Sequence, residues 1–202
     1  MFFHPLAPVC RRIALALVTA ALLVPASSAS AATTPCAGES LARVFAAWGD
    51  YSWYFLAPNG DFEEGADGWS LTAGARVVDG NAPFALGDAD GERSLSLPAG
   101  SSATSPAFCV DPDTRTVRWV QRGPRGGLLA VEVVHLSRLA RVPGRSLDAV
   151  RPGGDWEPSP QVEIPLVGTG MRNGRTTVAL TLTALSGDWT LDDLYIDPRC
   201  RN

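Results

Sequence analysis

Four carboxylates crowd into seven residues of the run Asn59-Gly60-Asp61-Phe62-Glu63-Glu64-Gly65-Ala66-Asp67-Gly68-Trp69. Acids at that density raise the question of an active site. The rest of the run answers for a fold instead. Three glycines permit positive φ or a close backbone approach, and Phe62 and Trp69 are large apolar groups that belong in a core. The run reads as the turn that opens a β-sandwich. Catalytic machinery is not evident elsewhere. Of two histidines, only His135 lies beyond the first 31 residues. It falls on the apolar side of a strand pattern, which suits a structural histidine better than a general base. There is no Gly-x-Ser-x-Gly elbow and no zinc spacing. A glycosidase needs two positioned carboxylates; Glu157 and Glu163 are available, but nothing sets them apart. The chain is therefore expected not to be an enzyme.

Recognition chemistry has better candidates. Sugar sites combine an exposed aromatic face with polar groups that bond hydroxyls. Trp156 stands in Arg151-Pro152-Gly153-Gly154-Asp155-Trp156-Glu157-Pro158, the one tryptophan in a loop-like setting. Trp156, Asp155 and Arg151 form the candidate ligand-binding set. The competing reading makes Trp156 a plug at the sandwich edge. Trp69, Trp119 and Trp189 fall in strand patterns and are expected in the core, while Trp48 and Trp53 are expected to pack the N-terminal segment against the sandwich. Arg138, Arg141, Arg145 and Arg151 make a locally basic stretch. It serves either as a solvated loop or as a contact for acidic polysaccharide or phosphate.

The elements that carry these residues are mostly strands. One helical stripe occurs, with Leu41, Val44, Phe45 and Trp48 at i, i+3, i+4 and i+7, and predicts a short helix over Glu39–Asp50. An aromatic strand-like passage follows from Tyr51 to Leu56. After Trp69 the pattern is all-β. Trp69–Thr72 and Ala75–Val78 flank Ala73-Gly74, spacing that suits a hairpin. Further strands are expected over Ser94–Leu97, Ser102–Val110, Thr116–Val120, Leu128–Leu136, Ser146–Val150, Gln161–Leu166, Thr176–Thr183 and Trp189–Asp197. Spacing of this kind, broken by Gly and Pro, indicates a sandwich rather than a parallel sheet.

The first 31 residues have the layout of a secretory leader: Arg11-Arg12, an uncharged run Ile13–Val24, and Ala29-Ser30-Ala31 before the expected cut. The apolar run is too short to span a membrane. The reading is a secreted, extracellular chain without membrane insertion. From 202 residues the leader's removal leaves 171, enough for one domain with a core. There is no lysine, and 15 arginines then face 21 acids, a net charge of −6. An acidic domain is a poor partner for nucleic acid. Cys36, Cys109 and Cys200 remain after the cut. Two of them should pair in an oxidising compartment, and three pairings are open. Cys36–Cys109 is preferred, since the segment before Asn59 needs an anchor and Cys200 lies near the end of the chain.

The opening Asn-Gly-Asp-Phe-Glu-Glu-Gly-x-x-Gly-Trp and the closing Trp189-Thr190-Leu191-Asp192-Asp193-Leu194-Tyr195-Ile196-Asp197 together resemble the two ends of galactose-binding-domain-like jelly rolls, among which bacterial carbohydrate-binding modules are best known. The resemblance covers residues 57–197. It implies a jelly-roll β-sandwich over 57–202, with 32–56 as an N-terminal helical extension and 1–31 as the leader. It also implies a structural calcium where the first and last strands meet, at Glu63 and Asp192 or Asp193, since turn carboxylates and carbonyls supply the oxygens calcium requires. The competing role for these acids is to accept backbone N–H bonds. The leucines flanking Asp192-Asp193 break strict alternation and predict a bulge. Carbohydrate binding by a monomeric, non-catalytic module follows from the resemblance. The alternative is a structural or protein-interaction module of the cell envelope, without sugar affinity.

Overall fold

A computed structural model of the protein describes residues 40–84, 86, 87, 91–111, 114, 116–136, 140–143, 154–165 and 175–198, with the backbone alone over 140–143. The chain divides into two units, Met1–Ala31 and Ala32–Asn202. Every described residue belongs to the second.

The strands are β1 (Phe55–Leu56), β2 (Ser70–Thr72), β3 (Arg76–Asp79), β4 (Arg93–Leu97), β5 (Ser102–Thr104), β6 (Phe108–Val110), β7 (Thr116–Arg122), β8 (Leu128–His135), β9 (Ala140–Pro143), β10 (Glu157–Pro158), β11 (Val162–Glu163), β12 (Thr176–Ser186) and β13 (Trp189–Asp197). They form two antiparallel sheets. The first runs β10-β7-β13-β4-β3, with β1 on β13 and β11 on β7; the second runs β2-β5-β12-β8-β9, with β6 on β12. The chain passes repeatedly from one sheet to the other, as the expected jelly-roll sandwich requires.

Alternation along the strands explains why the sheets stack. In the first sheet Leu95, Leu97, Val117, Trp119, Trp189 and Leu191 turn inward; in the second, Val131, Val133, Leu180 and Leu182 meet them. Trp69, Trp119 and Trp189 are all buried here, as expected. Each such ring removes about 150–250 Å² from water, several kcal/mol at about 25 cal/mol per Å². On β8, Leu129, Val131, Val133 and His135 are buried, while Leu128, Ala130, Glu132 and Val134 are only partly covered or exposed.

Two local expectations are corrected. In place of a helix over Glu39–Asp50 there is a single 3-10 turn, Ala46–Trp48, closed by Gly49 at φ 80°. Only Phe45 of the apolar stripe is fully buried; Leu41 and Trp48 remain 37% and 41% exposed. A helix this short has little stability of its own. Folding back instead lets Ala42 and Tyr54 exchange two 2.9 Å backbone hydrogen bonds. The second correction is the hairpin at Ala73-Gly74. β2 pairs with β5 in one sheet and β3 with β4 in the other, so this turn carries the chain between layers. Ala73 and Gly74, both at positive φ, make that sharp step. The strand expected from Tyr51 is also shorter, since Phe55–Leu56 is the part of it that joins a sheet, on Ile196 and Tyr195. The strand expected over Ser146–Val150 lies outside the described residues.

A second, smaller cluster lies on the outer side of the first sheet. Phe45, Tyr54, Ala82, Leu86, Val120 and Tyr195 pack there, with Val44, Phe84 and Trp156 at its margin. Val120 and Tyr195 alternate with the inward-facing Trp119 and Ile196, so the N-terminal segment and the loop around Ala82–Leu86 cover one part of this outer face. Among the described residues, this cluster covers only that part of the face.

Candidate functional site

The rest of that face is built by strand register. On the outer face of the first sheet, Arg76 of β3 is opposite Ser96 of β4. Ser96 is opposite Thr190 of β13, and Thr190 is opposite Arg122 of β7. Trp156 immediately precedes β10, whose Glu157 pairs with Gln121, so it stands beside Arg122. One straight row therefore crosses the sheet: arginine, serine, threonine, arginine, tryptophan. The inward neighbours of these residues are Val77, Leu95, Leu97, Leu191 and Trp189. Strand alternation forces the polar side chains outward.

The row floors a cleft of about 310 Å³ lined by Arg76, Val78, Asp79, Gly80, Asn81, Ser94, Ser96, Arg122, Thr190 and Trp156. A neighbouring depression of about 510 Å³ shares Arg122 and Thr190 and extends to Gly123, Pro124, Gly154, Gly187 and Asp188. Trp156 is half-buried. The guanidinium carbon of Arg122 lies 5.3 Å from its ring centre, within cation–π range. Trp156 thus lines the cleft and also packs at the margin of the second apolar cluster. Asp155 is exposed and does not line the cleft. Arg151, together with Arg138 and Arg145 of the basic stretch, lies outside the described residues; Arg141 is described by its backbone in β9.

The acidic corner is a separate place. Asn59 ties the turn with Nδ2 bonds to the carbonyls of Gly65 (3.0 Å) and Asp67 (2.9 Å), and the Trp69 indole donates to its carbonyl at 2.9 Å. Phe62 is buried against Trp69, with ring centres 4.9 Å apart. Glu63 accepts the N–H groups of Glu92 and Arg93 on one oxygen, both at 2.8 Å. Asp192 accepts from Ala82 N–H at 3.1 Å and from Asp193 N–H at 2.9 Å. The expected bulge is present: the β13–β7 register shifts between Asp192 and Tyr195, and Asp193 has φ 52°.

Burial, then the neighbouring Asp193 charge, pushes Asp192 up to about 8. Burial, followed by the charges of Asp61 and Glu63, pushes Asp193 up to about 7. Among the described residues neither carboxylate has a cationic partner, and two buried carboxylates so placed are an electrostatic burden that a cation would relieve. Against that, most of the oxygens of Asp192 and Glu63 already accept backbone N–H bonds. Among the described residues no group of three or more His, Cys, Asp or Glu is arranged to hold a metal ion.

His135 is buried, with Nε2 at 3.1 Å from the Pro165 carbonyl, the situation of a structural histidine. Glu157 and Glu163 lie on β10 and β11, on opposite stretches of β7. Cys109 lies in β6 as a bonded sulfur; Cys36 and Cys200 lie outside the described residues. No helix among the described residues is long and apolar enough to cross a membrane.

Sequence reasoning found Trp156 but missed Arg76, Ser96, Thr190 and Arg122. Each looks like an ordinary solvent-side strand residue, and only register brings them into one row.

No family model matches the chain, and no curated protein does. Solved structures do. The enzymatically active domain of the bacteriophage CBA120 tailspike protein 4 matches at 14% identity and a TM-score of 0.44, over 70% of this chain and 21% of that one. The chain thus spans about a fifth of that protein's length. The CBM22-1 xylan-binding domain of Paenibacillus barcinonensis Xyn10C matches at 16% identity and a TM-score of 0.42, over 68% of this chain and 90% of that one. TmCBM61, solved with beta-1,4-galactotriose, matches at 20% identity and a TM-score of 0.35, over 70% and 96%. Identities and scores are low, and the likenesses stand as likenesses only.

Proposed function

We propose that the protein is a secreted, non-catalytic module that binds a polysaccharide along the outer face of its first sheet. One observation carries this: Arg76, Ser96, Thr190 and Arg122 stand in register across four adjacent strands, beside Trp156. Strands lie about 4.8 Å apart, so the row offers regularly spaced donors and acceptors to an extended polymer. A single small ligand would use only part of it. The leader-like first 31 residues support secretion. The buried, carbonyl-bonded His135 and the placing of Glu157 and Glu163 on opposite stretches of β7 support a binding role over hydrolysis.

Two accessory readings belong to the same proposal. A structural calcium at Glu63, Asp192 and Asp193 is supported by the unneutralised charge there and opposed by the backbone bonds those oxygens already accept. A Cys36–Cys109 disulfide would fix the N-terminal segment, which covers part of the outer face; a bonded Cys109 fits a Cys109–Cys200 link equally well.

The alternative, an envelope or protein-interaction module, has one observation in its favour. Tyr51 and Trp48, near the N-terminal turn, are large hydrophobic residues left 67% and 41% exposed.

A polysaccharide array followed by isothermal titration of the hits tests the proposal. Binding that falls at least tenfold in Trp156→Ala, with the protein still folded by circular dichroism, supports it. Uniform silence on the array, or hits unaffected by that substitution, favours the alternative.

A further inference from the structure

Within the reading of the cleft as a polysaccharide site, the charge pattern points to the ligand class. We propose that the cleft takes an anionic polysaccharide, and that Arg76 and Arg122 bind its carboxylate or sulfate oxygens.

The chain is acidic overall, at −4, yet the row itself contains two arginines and no carboxylate. Neither arginine forms an ion pair with a described residue, in contrast to Arg118, which pairs with Asp50. Arg76 donates once, from Nη1 to the Gly74 carbonyl at 3.2 Å, which leaves most of its donors for a ligand. Arg122 is backed by the Trp156 ring at 5.3 Å. A guanidinium so stacked keeps its in-plane N–H groups for other partners. Arg122 therefore occupies part of the ring surface that a neutral sugar would use, and it offers a planar cation there.

The nearest acids do not cancel this charge. Asp79, at the end of β3, lines the cleft as its one carboxylate against two arginines. Asp188 accepts Ala99 N–H at 2.9 Å and faces the neighbouring depression.

Spacing adds a second constraint. Arg76 and Arg122 are three strand intervals apart, on the order of 14 Å between backbones. One anionic group cannot satisfy both in that geometry without long reaches from each side. A polymer with a charge on recurring sugars can, with Ser96 and Thr190 between the arginines placed to bond ring hydroxyls. A planar guanidinium suits both carboxylate and sulfate oxygens bidentately, so the two sources are separated by experiment.

Titrate the full-length protein with polygalacturonate, dextran sulfate and unmodified dextran, and repeat with Arg76→Gln, Arg122→Gln and, as a charge control in the other sheet region, Arg175→Gln. The expected result is binding to at least one charged polymer and none to dextran. Affinity should fall at least tenfold between 50 and 300 mM salt, and at least fivefold in each cleft variant with an unchanged melting temperature. Arg175→Gln should bind like the wild type. Polygalacturonate alone would assign carboxylate, and dextran sulfate alone would assign sulfate. Equal loss in Arg175→Gln would overturn the assignment to these two arginines. Trp156-dependent binding of dextran or another neutral glycan would overturn the anionic class while leaving the polysaccharide reading intact. No binding to any polysaccharide would overturn both.

Discussion

Asp50 holds Arg118 at 2.7 Å, with both side chains almost fully covered. This contact clips the N-terminal segment onto the outer face of the first sheet. The same carboxylate accepts from the Tyr54 hydroxyl (2.7 Å) and Gln161 Nε2 (3.0 Å), and Arg118 also donates to the Ser159 carbonyl. Arg118 lies 4.7 Å over the Phe45 ring. Neither Asp50 nor Arg118 lines the cleft; the clip lies under the segment that covers the other part of the sheet.

Removing one partner of a covered ion pair leaves the other uncompensated, and Asp50→Ala should cost about 3 kcal/mol in urea unfolding. The doubly substituted Asp50→Ala, Arg118→Ala protein should lose less than the sum of the single losses. Burial pushes the Asp50 carboxyl up, but bonds from Tyr54, Ser52 and Arg118 together outweigh it and hold it below the usual range. Its contribution is present above the unfolded aspartate pKa of about 3.9 and disappears as the pH falls below that. A single-site loss under about 0.5 kcal/mol would show that the clip is dispensable.

The acidic corner should respond to pH with the opposite sign. Asp192 and Asp193 titrate near 8 and 7 in the folded protein, above their unfolded values, so the folded state favours their protonated forms. The stability this gives is fully present below about pH 4 and is lost as the pH rises through 7 and 8. In EDTA, the melting temperature should decline between pH 5 and pH 8.5, and Asp193→Asn should flatten that decline. Calcium added at pH 8 should raise the melting temperature if the corner holds the ion. A profile that is flat in EDTA would contradict the electrostatic account of the corner.

Gly60 should resist substitution. Its N–H donates to the Ala57 carbonyl at 2.8 Å and its carbonyl accepts Leu194 N–H at 3.0 Å. A Cβ there would lie 2.7 Å from the Leu194 carbonyl oxygen and 3.0 Å from that of Ala57. Both neighbours are backbone and cannot swing aside. Gly60→Ala should lower stability by about 1–3 kcal/mol, read from chemical denaturation. Wild-type stability in that variant would mean that the corner is loosely packed.

A peptide map under non-reducing conditions should recover Cys36 joined to Cys109. A Cys109–Cys200 link would transfer the anchor from the N-terminal segment to the end of the chain.

The sequence and the structure agree where local pattern decides the outcome. Period-two alternation exposed β4, β7, β8 and β12, and the flanking leucines exposed the bulge at Asp192-Asp193. The buried tryptophans at 69, 119 and 189 were legible for the same reason. Two elements misled because tertiary pairing overrode local pattern. Phe45 has the spacing of a helical stripe, yet it is buried by a folded-back segment bonded through Ala42 and Tyr54. Ala73-Gly74 has hairpin spacing, yet its flanking strands join different sheets. The cleft was the least legible feature. Arg76, Ser96, Arg122 and Thr190 are scattered along the chain, and each is an unremarkable polar strand residue until three registers align them. Trp156 stood out because it sits in a loop, but its position beside Arg122 depends on the pairing of β10 with β7.

The central claim is that the polar row on the first sheet is the binding surface. Heteronuclear NMR on the full-length protein, titrated with oligogalacturonate and with its neutral counterpart, tests it most directly. The account predicts that amide shifts cluster at Ser96, Arg122 and Thr190, and that the Trp156 indole N–H moves with them, while β8 and β12 of the opposite sheet stay still. Shifts concentrated on the opposite sheet or around Tyr51 and Trp48, with the row unmoved, would contradict it.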